Sequence, residues 1–254
     1  MSRKIKGILF DLGDTLLDFG HLDVTSLFEA GARATFDYLK GLGESLPSFA
    51  AYHRRQLRAI RWNYFKSKLT GREFNSLDLL GRLAIRMGHR LSHAQMFELA
   101  WLWYEPLSRC AKMEDGLYDL LKGLAGRGIR LGVVSNTFIP AEVLDRHLGQ
   151  VGLLELFPIR VYSCQVGYRK PHPGIFVAAL KLAGLEACET MFVGDSPKAD
   201  IFGANRAGMI SVLKDPLGRH DGNKIRPCHR IRSLGELPGI LAQYDSMNST
   251  DGPS

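Results

Sequence analysis

Five short apolar runs, at residues 5–10, 130–134, 159–162, 190–193 and 209–213, are separated by helix-length segments near 115–127, 140–148, 173–184 and 197–207. Apolar stretches this short, without polar alternation, suit strands buried on both faces, and strands that alternate with helices build a parallel sheet covered by helices. The fold class this dictates is α/β, with a parallel sheet at its centre. Polar clusters follow these runs, and the carboxyl ends of such strands are where loops converge and helix N-termini offer free N–H groups to anions.

Residues 20–112 break the alternation. Their spacing predicts four helices, Val24 to Leu39, Pro47 to Leu69, Leu77 to Met87 and Ser92 to Cys110, and no strand. The organisation expected is therefore a core of residues 1–19 and 113–245, a helical insertion at 20–112, and a polar, disordered tail at 246–254. The insertion leaves just after the first strand, so it hangs over that strand's carboxyl end.

The chain has 254 residues, 45% hydrophobic, enough to bury a substantial core. No signal-peptide pattern and no apolar run of roughly 20 residues is present, so the expectation is a soluble, cytoplasmic protein without a membrane partner. Cys110, Cys164, Cys188 and Cys228 stand far apart with no CxxC pair, which argues against zinc and against a disulfide framework. Of the net charge of +7, the segment 21–112 carries an excess of six, from 14 Lys plus Arg against 8 Asp plus Glu. A solvated helical face explains such a patch more simply than nucleic-acid binding, for which the sequence shows no motif. Oligomeric state is not fixed by any of these features.

Four segments carry the chemistry: FDLGDTL at 10–16, VVSNT at 133–137, RKPHPGIF at 169–176 and FVGDSPKADIFGANRAGM at 192–209. In order and spacing they resemble the four motifs of the haloacid dehalogenase superfamily, across the whole core. The resemblance implies a Rossmann-like three-layer core with an inserted helical cap of the type I kind. It also implies a hydrolase, most simply a phosphatase of a small phosphorylated metabolite acting through an aspartyl-phosphate on Asp11.

Physical chemistry points the same way. A phosphate ester repels nucleophiles, so a carboxylate nucleophile needs a divalent cation and other positive groups beside it. Asp11 and Asp195 are hard oxygen ligands suited to Mg²⁺, and the resemblance adds the backbone carbonyl of Gly13. Asp200 is expected in an outer-shell role, supporting the metal site or pairing with Lys170, with a helix cap as the plain alternative. Lys170 would neutralise phosphoryl oxygens, and Ser135, with the backbone N–H of Asn136, would hydrogen-bond them.

One position departs from the family pattern. Phosphatases of the family usually carry an Asp two residues after the nucleophile as general acid, whereas here Gly13 occupies that place and Asp14 follows. Either Asp14 reaches in, or water or substrate supplies the proton, or the chain is a weakly active or binding member. A dehalogenase, needing neither acid nor metal, fits Gly13 but fits Asp195 poorly, since an uncompensated second carboxylate would repel Asp11. A phosphonate-cleaving enzyme would need a Schiff-base lysine, for which Lys40, Lys66 and Lys68 are available without a recognisable context. On the second helix Arg54, Arg58 and Arg61 share a face, either solvated or gripping a second anionic group. Trp62, Trp101, Trp103 and the aromatics near them are expected to pack between the helices of the insertion, with an aromatic substrate platform as the lesser alternative.

Overall fold

The computed structural model describes residues 4–86, 88 and 90–249. Six strands form one parallel sheet: β1 (Gly7–Phe10), β2 (Arg130–Ser135), β3 (Ile159–Tyr162), β4 (Thr190–Gly194), β5 (Ile210–Lys214) and β6 (His229–Ile231). Their spatial order is β3-β2-β1-β4-β5-β6, which places β1 inside the sheet and makes the order reverse between β1 and β4. In open α/β sheets the ligand crevice lies outside the strand ends at that reversal. The register aligns Phe10 with both Val133 and Val193, so the residues that follow all three strands emerge at one level.

The apolar runs are buried on both faces as their composition requires. Ile8 and Phe10 join one core cluster with Val133 and Val212, while Leu9 joins another with Val134, Phe176 and Phe192. This is the three-layer arrangement expected. Chain order runs from four insertion helices, α1 (Val24–Gly41), α2 (Phe49–Thr70), α3 (Ser76–Arg86) and α4 (His93–Ser108), to α5 (Leu117–Gly126), α6 (Ala141–Gln150) and the short α7 (Ser163–Val166). Then follow α8 (Pro173–Ala183), α9 (Phe202–Arg206) and α10 (Leu237–Ser249), with a single π-type turn, Pro197–Ile201, leading into α9 where one helix was expected.

The insertion helices have local causes. Asp23 caps α1 by accepting from the N–H groups of Thr25 and Ser26, Gly71 ends α2 in the left-handed conformation, and Ser92 with Gln95 forms a capping box at α4. The two connections to the core are paired: Asp18 and Lys112 exchange backbone hydrogen bonds of 2.8 Å in each direction. Beside them Lys214 donates to the carbonyl of Thr15 at 2.7 Å and pairs with Glu114 at 2.7 Å, and Glu114 also accepts from Ser233 Oγ and the Leu234 N–H.

Two expectations need correction. Trp101 and Trp103 are buried, but Trp62 is 66% exposed. The inward stripe of α2 is Tyr52, Gln56, Ile60 and Ser67, and a residue two beyond Ile60 points to the opposite side. Residues 246–249 of the supposed tail continue α10, whose inner face packs through Leu237, Ile240 and Leu241; residues 250–254 lie outside those described. The four cysteines are free. Among the described residues no helix is long and apolar enough to cross a membrane.

Close approach of α1 and α4 depends on Gly31, where a Cβ would stand 2.5 Å from the carbonyl oxygen of Trp103. Backbone cannot yield as a flexible side chain can, so Gly31→Ala should cost about 1–3 kcal/mol. Urea unfolding should show the shift, and a variant as stable as wild type would contradict the tight packing.

Candidate active site

Asp11 leaves β1 at the level where Ser135 ends β2 and Asp195 follows β4. The side chain of Lys170 enters from the loop before α8 and is almost wholly buried. Its Nζ lies 2.8 Å from Asp11 Oδ1 and 2.7 Å from Asp200 Oδ1, and donates to the carbonyl of Val134 at 2.8 Å. Burial alone would push the ammonium's pKa down, but Asp11 and Asp200 outweigh it and hold the pKa above the ordinary value, so the group stays charged. Asp11 is further oriented by its backbone N–H, which donates to Val193 O, and by the Leu12 N–H, which donates to Asp11 Oδ1 at 2.8 Å.

Carboxylate oxygens of Asp11, Asp195 and Asp200 lie within 4.8 Å of one another. Burial first, then the charges of Asp11, Asp200 and Asp14, push the Asp195 carboxyl up to about 7. Asp200 is fully buried at the π-type turn, accepts from the Ser196 N–H at 2.9 Å, and is pushed up to about 6, chiefly by burial against the opposing pull of Lys170. Three carboxylates thus share one ammonium, and a divalent cation with oxygen ligands fits the remaining negative charge.

The other candidates separate cleanly. Ser135 is buried at the end of β2, beside the site. Asn136, expected to act through its backbone, uses its side chain: Oδ1 accepts from the Lys170 N–H at 2.7 Å and Nδ2 donates to the Lys170 carbonyl at 3.0 Å. Gly13 does not have a positive φ, and a Cβ there would meet only Phe19 Cε2, at 3.8 Å. Asp14 has the positive φ, 56°; it is exposed, and its Oδ1 accepts from the Phe19 N–H at 3.4 Å. Arg54, Arg58 and Arg61 are exposed on α2, bordering an open surface depression, and Lys40, Lys66 and Lys68 are exposed as well.

The model of the haloacid dehalogenase-like hydrolase family matches residues 5–208. The chain belongs to that family. The hydrolase is 35% identical to the haloacid dehalogenase-like hydrolase domain-containing protein 3 of Bos taurus, over 92% of each chain. It is 27% identical to the ribulose-1,5-bisphosphate 5-phosphatase of Halopiger xanaduensis (strain DSM 18323 / JCM 14033 / SH-6), over 92% of this chain and 98% of that protein. A 30% match to the pyrimidine 5'-nucleotidase YjjG of Escherichia coli (strain K12) spans 51% of this chain and 56% of that protein. Among solved structures, a HAD phosphatase from Thermococcus onnurineus superposes with a TM-score of 0.59 at 26% identity, over 93% of this chain and 98% of that one.

Two features of the hydrolase's site were missed in the sequence. Gly194 is a packing requirement, because a Cβ there would lie 2.4 Å from Asp200 Cγ. Glu73, from the α2–α3 connection, is buried against Arg169, the neighbour of Lys170; it accepts from Ser67 Oγ at 2.9 Å and from Ser163 Oγ at 3.0 Å. No local pattern marks either residue: the need for Gly194 arises only from how the turn folds Asp200 back against it, and Glu73 depends on Arg169, far away in the chain. Gly194→Ala should displace Asp200 and with it Lys170. A misplacement of about an ångström costs on the order of 10²-fold in kcat, which steady-state kinetics would read; unchanged kcat would show that Asp200 does not position Lys170.

Proposed function

We propose that this hydrolase is a magnesium-dependent phosphatase of a small soluble phosphorylated metabolite, with Asp11 as nucleophile. The observation that carries the reading is the imbalance of three clustered carboxylates against the single buried ammonium of Lys170. Asp11, Asp195 and the Gly13 carbonyl would hold the ion, with Asp200 behind them. When bound, magnesium would offset the negative charge shared by Asp11 and the phosphoryl oxygens. The names of relatives that are phosphatases support the same chemistry.

In this reading Asp11 attacks phosphorus, the bond to the leaving oxygen breaks, and water then hydrolyses the aspartyl-phosphate. Lys170 orients Asp11 through their 2.8 Å contact, and Ser135 with the Asn136 N–H receives phosphoryl oxygens. Residues 20–112 act as a cap that excludes water during turnover. Asp14, turned into its own loop, is not the acid, so the leaving group takes its proton from water or substrate.

Asp11→Asn should lower kcat on the order of 10⁴-fold or more while the chain still folds; near-normal turnover would sink the mechanism. Chelation should abolish activity, and activity indifferent to chelator would favour a metal-free dehalogenase. The cation-free Asp195 carboxyl, at about 7, must shed its proton on binding. Magnesium affinity measured by calorimetry should therefore fall about tenfold per pH unit below that value and level off above it. A pH-independent affinity from 5 to 8 would exclude Asp195 as a ligand. Gly13→Asp, for which there is room, should raise kcat on alkyl phosphates by roughly 10²-fold or more; Asp14→Asn should change little. A large loss in Asp14→Asn would assign Asp14 as the acid after all.

A further inference from the structure

A cavity of about 390 Å³ lies between the insertion and the core, within the roughly 300–1,000 Å³ typical of small-molecule sites. Its walls come from α1 (Leu27, Phe28), α2 (Tyr64), α4 (Trp103, Leu107) and Phe138. Phe138 stands three residues beyond Ser135 on the loop leaving β2, so one wall of the cavity belongs to a loop that starts at the carboxyl end of the sheet. Its wall is aromatic: Phe138 stacks on Phe74 with centroids 5.1 Å apart, and Trp103 contacts both Phe28 and Phe138 at 5.3 and 6.0 Å. Among the residues lining it, Arg61 alone is charged, and that side chain is exposed.

We propose that this cavity receives the leaving group of the substrate and selects phosphate monoesters carrying an aryl body over phosphorylated sugars. The inference rests on the phosphatase reading and adds the substrate class to it. An aromatic ring gains from apolar burial and from edge and face contacts with the wall. A sugar entering the same space would exchange water for a surface with few hydrogen-bonding partners, and each unmatched hydroxyl is costly to bury.

The test uses the full chain with magnesium and three esters whose leaving groups are all alkoxides, which holds leaving-group chemistry nearly constant: 2-phenylethyl phosphate, glycerol 3-phosphate and ribose 5-phosphate. Burial of the ring should favour the first in kcat/KM by about ten- to a hundredfold. Leu27→Trp and Val24→Trp, which narrow the cavity from α1, should cut that ratio at least severalfold. A ratio is independent of how much of a variant is folded, and Val24 is half exposed, so the second substitution does not burden the core. Hydrolysis of the sugar ester as efficient as that of the aryl ester, or ratios unchanged in both variants, would overturn the cavity's role while leaving the phosphatase reading in place. Failure to hydrolyse any of the three together with 4-nitrophenyl phosphate, whose leaving group needs no acid, would overturn both.

Discussion

The buried ammonium of Lys170 is the interaction on which the site depends. Removing a cation from water is costly unless opposite charge and hydrogen-bond acceptors replace the solvent. Asp11, Asp200 and the Val134 carbonyl do so at 2.7–2.8 Å, and each comes from a different segment at the carboxyl end of the sheet. The backbone of Lys170 is clamped in turn by the Asn136 amide, and Asp200 has room only because residue 194 has no side chain. Removal of one member would leave a charge buried without its partner, so the cluster is set as a unit.

The insertion is anchored to the same segments that carry the reacting groups. Lys214 holds the Thr15 carbonyl in the turn after Asp11 and pairs with Glu114 on the returning connection. Burial raises the pKa of Glu114, but Lys214, Ser233 and the Leu234 N–H outweigh it and keep the carboxyl below its ordinary value. On the other side, Glu73 grips Arg169 and accepts from Ser163 Oγ, while Ser163 Oγ accepts from the Thr137 N–H. These contacts tie the insertion to the backbone on either side of Asp11 and Lys170. In proteins whose lids exclude water from the reaction, such coupling makes assembly of the site depend on closure.

How much of this was legible in the sequence follows from the range of the forces involved. The first five strands are short, largely apolar and followed by polar residues, a local pattern, and the four insertion helices carry local start and stop signals such as Asp23, Ser92 and Gly71. Strand β6, HRI, has no such run: it is three residues long and carries His and Arg beside a single buried Ile. The C-terminal helix was not read, and its last residues, SMNS, were assigned to a disordered tail because they are polar, although Leu237, Ile240 and Leu241 anchor the turns before them. At the site, Asp11, Asp195 and Lys170 were readable from motif order. Trp62 was misplaced because aromatic residues are usually buried and periodicity alone does not say which face of a helix meets the core. Glu73 was silent because an isolated acid in a loop gains meaning only from Arg169, ninety-six residues away.

The departure at Gly13 takes its meaning from the turn geometry. Asp14 lies in the left-handed region, which Asp tolerates better than most residues because its short side chain bonds locally, here to the Phe19 N–H. With Asp14 N donating to Leu17 O at 2.7 Å, the turn is closed on itself, and the position two beyond the nucleophile carries no group able to give a proton. Lack of such a group raises the barrier by roughly 3–5 kcal/mol when an alkoxide must depart. It matters far less when the departing oxygen belongs to a phenol, whose anion is already stable near neutral pH. The aromatic wall formed by Phe138, Trp103 and Phe28 favours that same kind of leaving group through packing. In the proposed phosphatase, a missing acid and an apolar cavity, carried by separate parts of the chain, would therefore favour one chemistry: esters whose leaving group is aromatic and needs little help to leave.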